Sequence, residues 1–165
     1  DYWDNTKIKK QVDCLEINSK SEFCYSRAIK VSGSGSVMSK PFPMKLKTGW
    51  ALNDFFIHQR APAGTMFFTK SLYDRVGGFN ETLKIEDWDF IIKSAALTQF
   101  SVVKEPLLYY RWHGTNTMNV MNRTDMFLQK VSILTNNFNL VSPYRWLLSI
   151  CIHFINDIIL KGRGR

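Results

Sequence analysis

Two acidic groupings hold the residues of this chain that are best suited to chemistry. Glu86 and Asp87 are adjacent carboxylates that follow a Gly77-Gly78-Phe79 turn and open the run Trp88-Asp89-Phe90, while Asp1 precedes Tyr2-Trp3. A carboxylate in the first turn of a helix is held ionised by the helix dipole and by free backbone amides, so it remains a proton acceptor at neutral pH. That is what a general base requires, provided a substrate hydroxyl can reach it. Acidic residues at helix starts are also ordinary caps, and spacing alone leaves both readings open.

The elements that would position these carboxylates alternate between helix and strand. Asp4 or Asn5 can cap a helix ending near Asn18, with Ile8, Val12 and Leu15 inward and Lys7, Lys9 and Lys10 on its wet side. Glu22 to Val31 reads as a strand, the serine- and glycine-rich 32–36 stretch and Pro41-Phe42-Pro43 as a surface loop, and Trp50 to Ile57 as a short helix. Ala63 to Thr69 reads as a buried strand, and Ser71 as the cap of a short helix closed by Gly77. Asp87 to Leu97 is then a helix with Phe90, Ile91, Ala95 and Leu97 inward, followed by extended runs at Phe100 to Lys104 and Pro106 to Arg111. Beyond it, Thr124 to Asn137 forms an amphipathic helix, and Ser142-Pro143 starts another running to Leu160. This order predicts an α/β fold, a mixed sheet flanked by helices, with a helical tail.

With 165 residues, 45% of them hydrophobic, the chain can bury one sizeable core. Its net charge of +8 favours an acidic partner, whether anionic lipid, phosphorylated substrate or nucleic acid. Nucleic acid fits poorly, because no recognition motif is present and the acidic pair would face a phosphate backbone. Cys14, Cys24 and Cys151 form no CxxC pair and read as free core thiols in a reducing compartment.

Three motifs occur in close order: Val76-Gly77-Gly78-Phe79-Asn80-Glu81, then Glu86-Asp87-Trp88-Asp89-Phe90, then Glu105-Pro106-Leu107-Leu108-Tyr109-Tyr110-Arg111-Trp112-His113. Together they resemble the second half of the catalytic domain of family-two glycosyltransferases, inverting enzymes of the GT-A fold. Asp1-Tyr2-Trp3, with Lys7-Ile8, Lys10-Gln11-Val12 and Leu15-Glu16 behind it, is similar to the segment that follows the family's aspartate-rich metal motif. The likeness runs from Asp1 to about Asn119 and leaves residues 120–165 as a separate helical tail. It implies that the nucleotide-binding N-terminal half of the domain, including the base and ribose site, lies outside this sequence.

The resemblance assigns roles residue by residue. Asp87 would be the general base that deprotonates the acceptor hydroxyl, with Glu86 binding the acceptor or orienting the base. Asp1 and His113 would stand beside a divalent cation, Mg²⁺ or Mn²⁺, that bridges to the donor diphosphate. Gly64 would let substrate approach the backbone, and Trp88, Arg111 and Trp112 would border substrate; for each a plain packing role is the competing reading. The reaction would be a single inverting displacement from a nucleotide-sugar donor to a glycan or lipid-linked acceptor, one sugar at a time, because neither Arg111-Trp112 nor Arg145-Trp146 completes the Gln-x-x-Arg-Trp motif of processive synthases. The resemblance further implies bacterial cell-envelope polysaccharide synthesis, in the cytoplasm or peripheral at the inner face of the membrane. A relative that keeps the fold without turnover is the competing reading.

The run Trp146 to Leu160 is mostly apolar and gives way to Lys161, Arg163 and Arg165. A spanning helix needs about 20 apolar residues, and this run is shorter and interrupted by His153, Asn156 and Asp157. It reads as an interfacial helix or as one docked on its own domain.

Overall fold

The computed structural model describes residues 1–113 and 121–160. Among them, four strands form one mixed sheet in the order β1-β4-β2-β3, with β1 at Tyr2–Trp3, β2 at Ser21–Val31, β3 at Phe67–Phe68 and β4 at Gln99–Arg111. The two long strands pair in parallel, and the short ones flank them antiparallel. The basic residues Lys161, Arg163 and Arg165 and the end of the family likeness near Asn119 lie outside the described residues.

β2 is almost wholly buried because both its faces are covered. On one face Phe23 and Tyr25 join Phe55, Phe90, Ile91 and Phe100. On the other, Cys24 meets Val103 and Leu107 beneath Cys14 and Leu15, residues of the helix α1 (Lys7–Ile17). The extended runs on either side of Pro106 are one strand with a bulge: Ser26 pairs with Val103 but Arg27 with Pro106. Pro106 has no amide to give the ladder, so the chain loops out at Lys104 and Glu105, and Arg27 Nη1 donates to the freed Lys104 carbonyl at 2.8 Å.

α1 turns its faces otherwise than the periodicity predicts. Ile8 is 46% exposed, whereas Lys7 and Gln11 are buried. The Lys7 ammonium lies 4.4 Å from the centre of the Trp3 ring, and burial lowers its pKa. Gln11 Nε2 donates to the Thr65 carbonyl at 2.9 Å.

The 63–69 stretch is not a continuous strand but a 3₁₀ turn, Ala63–Thr65, followed by β3. Trp3 Nε1 joins Gln11 in drawing it inward, donating to Gly64 O at 3.0 Å. Helix α2 is Leu52–Phe55, and α3 is Lys70–Val76, capped by Thr69, whose Oγ1 accepts from Leu72 N at 3.1 Å, and not by Ser71. Gly77 (φ +86°) and Gly78 (φ +76°) close it in the left-handed region, where a side chain at 78 would meet the Tyr73 hydroxyl 2.9 Å away.

That reversal delivers the chain to α4, Glu86–Leu97. Phe90, Ile91 and Ala95 enter the sheet core as predicted, while Leu97 is exposed. Trp88 and Ile92 face a second core, built with Ile133 and Leu134 of α5 (Arg123–Asn136). α6 (Pro143–Phe154), capped by Ser142, continues as a π-helical turn through Ile155–Leu160. Of the cysteines, Cys24 is buried and Cys14 half-buried, but Cys151 is exposed on α6. No helix among the described residues is long and apolar enough to cross a membrane.

Candidate active site

The bulge sets the register with which Leu108, Tyr110 and Trp112, alternate residues on one face of β4 and its extension, point into a cavity of about 530 Å³. The start of α4 supplies the opposite wall through Ile85, Glu86 and Asp87, and the 59–64 segment closes a third side. Asp1 reaches the same cavity, its Oδ1 accepting from Arg111 N at 2.8 Å. Residues separated by most of the chain thus line one cavity, among them Asp1, Gly64, Glu86, Asp87 and Trp112 of the expected site residues.

Asp87 is tethered at both oxygens. Oδ1 accepts from Trp88 N at 2.9 Å, and Oδ2 accepts from Gln59 Nε2. Each oxygen retains a lone pair for a substrate proton. The helix N-terminus was expected to hold this carboxyl in its ionised form, but burial dominates and, with the charge of Glu86, pushes its pKa up to about 6 against the opposing hydrogen bonds. The corrected value suits a base near neutrality better than an ordinary aspartate would.

The tethering is reciprocal. Trp88 Nε1 donates to Phe55 O at 2.7 Å, and Ser149 Oγ of α6 donates to Phe56 O at 2.9 Å, so the strand of chain leading to Gln59 is fixed from two sides. Trp88, expected to border substrate, does not line the cavity. It is 1% exposed and buttresses the segment that leads to Gln59 and Asp87. Arg111 and His113 are exposed at the end of β4 and do not line the cavity; Arg111 contributes its backbone amide to Asp1. Gly64 does line it, but a Cβ there would lie 2.9 Å from Leu108 Cδ2, so packing already accounts for the glycine.

The sequence reading missed Gln59 and three cations. Lys30, Arg60 and Lys84 all line the cavity, and none forms an ion pair among the described residues. Arg60 Nε is buried there without a hydrogen-bond partner, while the Lys30 ammonium sits 3.7 Å from the centre of the Trp112 ring. Nothing local marks Gln59, because its partner lies 28 residues away.

The metal expectation finds thin support in the donor set. Among the described residues no three of His, Cys, Asp and Glu converge. Asp1 offers one carboxylate, already accepting from Arg111 N. That is sufficient only for a hard cation that takes most of its oxygens from substrate phosphates and water.

A pH profile tests the environment of Asp87. If ionised Asp87 is the base, kcat/KM should fall about tenfold per unit below a pKa of about 6. The Gln59 hydrogen bond favours the carboxylate, so Gln59→Leu should move that limb to higher pH. An unmoved limb would show that Gln59 does not touch the titrating group.

No protein-family model matches the chain, and no curated protein sequence does.

Proposed function

We propose that the chain carries the acceptor side of an inverting glycosyltransferase of the GT-A type, which moves a sugar from a nucleotide-activated donor to a glycan or lipid-linked acceptor. The observation that carries this reading is Asp87, a tethered carboxylate with its pKa near 6 on the wall of a cavity able to hold a sugar. The mixed sheet with helices on both faces is compatible with that fold class.

Asp87 takes the proton of the acceptor hydroxyl as its oxygen attacks the anomeric carbon, and Gln59 holds the carboxylate in line. Glu86 neighbours the acceptor. Trp112, with Lys30 over its ring, offers a flat face to a sugar. Arg60, Lys30 and Lys84 supply positive charge for the phosphates of the donor. A divalent cation, with Asp1 giving one oxygen, would neutralise charge on the departing diphosphate when bound.

The test is a panel of nucleotide sugars with the full-length protein. Release of nucleoside diphosphate, abolished by chelator and restored by Mn²⁺ or Mg²⁺, is the expected result. No turnover of any donor by a folded protein would favour the non-catalytic reading, and full activity in excess chelator would remove the metal.

A further inference from the structure

The last described helix packs Trp146 and Ile150 on the second core, yet it also buries polar residues while leaving an apolar stripe outside. Along α6 and its π-helical extension, Ser149, His153 and Asp157 recur every fourth residue and all three are buried. Each has a polar or aromatic anchor. Ser149 donates to Phe56 O, the His153 ring stands edge-on to Trp88 at 5.1 Å, and Asp157 Oδ2 lies 2.6 Å from Lys130 Nζ of α5. The opposite stripe is apolar and open to solvent: Tyr144 is 73% exposed, Leu147 55%, Phe154 44% and Ile155 45%, with Cys151 between them. Leu128 on α5, 56% exposed, adds to the apolar surface of these two helices.

A surface helix of a globular protein ordinarily turns a polar face to water, and this one turns an apolar stripe. Rotating this one to bury the stripe would break the Ser149 and Asp157 contacts and strand their polar groups. The outer face is therefore held outward, and it carries no charge: between Pro143 and Leu160 the charged residues are Arg145 and Asp157, the second buried and the first half-buried with Nη1 on Asn53 O. Immediately after Leu160 the sequence reads Lys161-Gly162-Arg163-Gly164-Arg165. An uncharged apolar stripe followed in sequence by three cations matches an anionic bilayer, whose acyl boundary takes the stripe while its headgroups take the charges. A second copy of a chain with net charge +8 would bring like charges together instead.

We propose that α6 and its extension lie flat on an anionic lipid surface, with Leu147, Cys151, Phe154 and Ile155 inserted at the acyl boundary. The proposal is independent of the glycosyltransferase reading, since its test uses no turnover. In liposome flotation the full chain should rise with phosphatidylcholine vesicles containing phosphatidylglycerol, far less with phosphatidylcholine alone, and should be released by high salt. Leu147→Glu/Ile155→Glu, at exposed positions that leave the fold intact by circular dichroism, should lower partitioning about tenfold or more. Lys161→Gln/Arg163→Gln/Arg165→Gln should lower it by a similar factor on anionic vesicles only. The proposal is overturned if the native chain does not float with anionic vesicles, or if the double-glutamate variant floats like it. A dimer in light scattering that this variant dissociates, without vesicle binding, would assign the stripe to a second copy and overturn it equally.

Discussion

Replacing Asp87 by Asn should reduce turnover by about 10²-fold or more while leaving donor binding nearly unchanged. The change removes the proton acceptor and little else. An asparagine oxygen can still accept from Trp88 N, and a flipped Gln59 can accept from the new amide. Stability should follow a different course. Because the folded protein raises the pKa of Asp87 above that of the unfolded chain, the native state holds this proton more tightly, and stability is lost as pH rises from the ordinary aspartate range through about 6. The Asn variant escapes that loss, so at pH 8 it should melt no lower than the native protein while turning over far more slowly. Native-like turnover in the variant would remove Asp87 from the role of base, and a lowered melting temperature would mean that it acts on the fold instead.

The second large effect falls on stability. Asp89 is fully buried one turn into the site helix. Its Oδ1 accepts from Asn137 Nδ2 at 2.6 Å, and its Oδ2 lies 2.7 Å from Lys93 Nζ. The bond to Asn137 ties α4 to the end of α5. Asp89→Ala should lower the unfolding free energy by about 2 to 3 kcal/mol, the range for losing a buried charge-assisted hydrogen bond and leaving its donor short of a partner. Asp89→Asn keeps an acceptor for Asn137 and should recover part of the loss. Urea denaturation followed by tryptophan fluorescence measures both. A change under about 0.5 kcal/mol in the Ala variant would place Asp89 among residues without structural weight.

What the sequence made legible was local. Gly77 closes α3 because two consecutive left-handed residues need glycine, and Ser142-Pro143 starts α6 because one side chain and one ring satisfy its first turn. The start of α4 and most of its inward face followed from periodicity in the same way. The readings that missed depended on partners distant in sequence. Lys7 and Gln11 are buried because Trp3 and Thr65 are there to receive them, whereas periodicity counts Lys7 as a wet residue. Ala63 to Thr69 turns where a strand was predicted because Trp3 and Gln11 capture its carbonyls. Within the site, the carboxylates were visible from their types and position, but the rise in the pKa of Asp87 came from burial, which the helix dipole alone could not indicate. Trp88 is drawn away from the cavity by a carbonyl 33 residues upstream.

The parallel pairing of β2 with β4 also governs when the cavity can exist. Ser21 Oγ and the Gln99 carbonyl that it contacts are 78 residues apart, and α2, α3 and α4 all lie within the loop so closed. Loop-closure entropy rises only slowly with length, so the equilibrium penalty is modest. The rate is another matter, because non-local parallel pairing must be reached before it is rewarded by contacts, and such topologies fold slowly. During synthesis Asp87 and Gln59 emerge ahead of β4, whose Leu108 and Tyr110 form the facing wall. Until that strand arrives, β2 presents apolar residues on both faces and an open edge, the kind of surface that recruits chaperones or other nascent chains. Assembly of the site therefore waits on the closure of that loop.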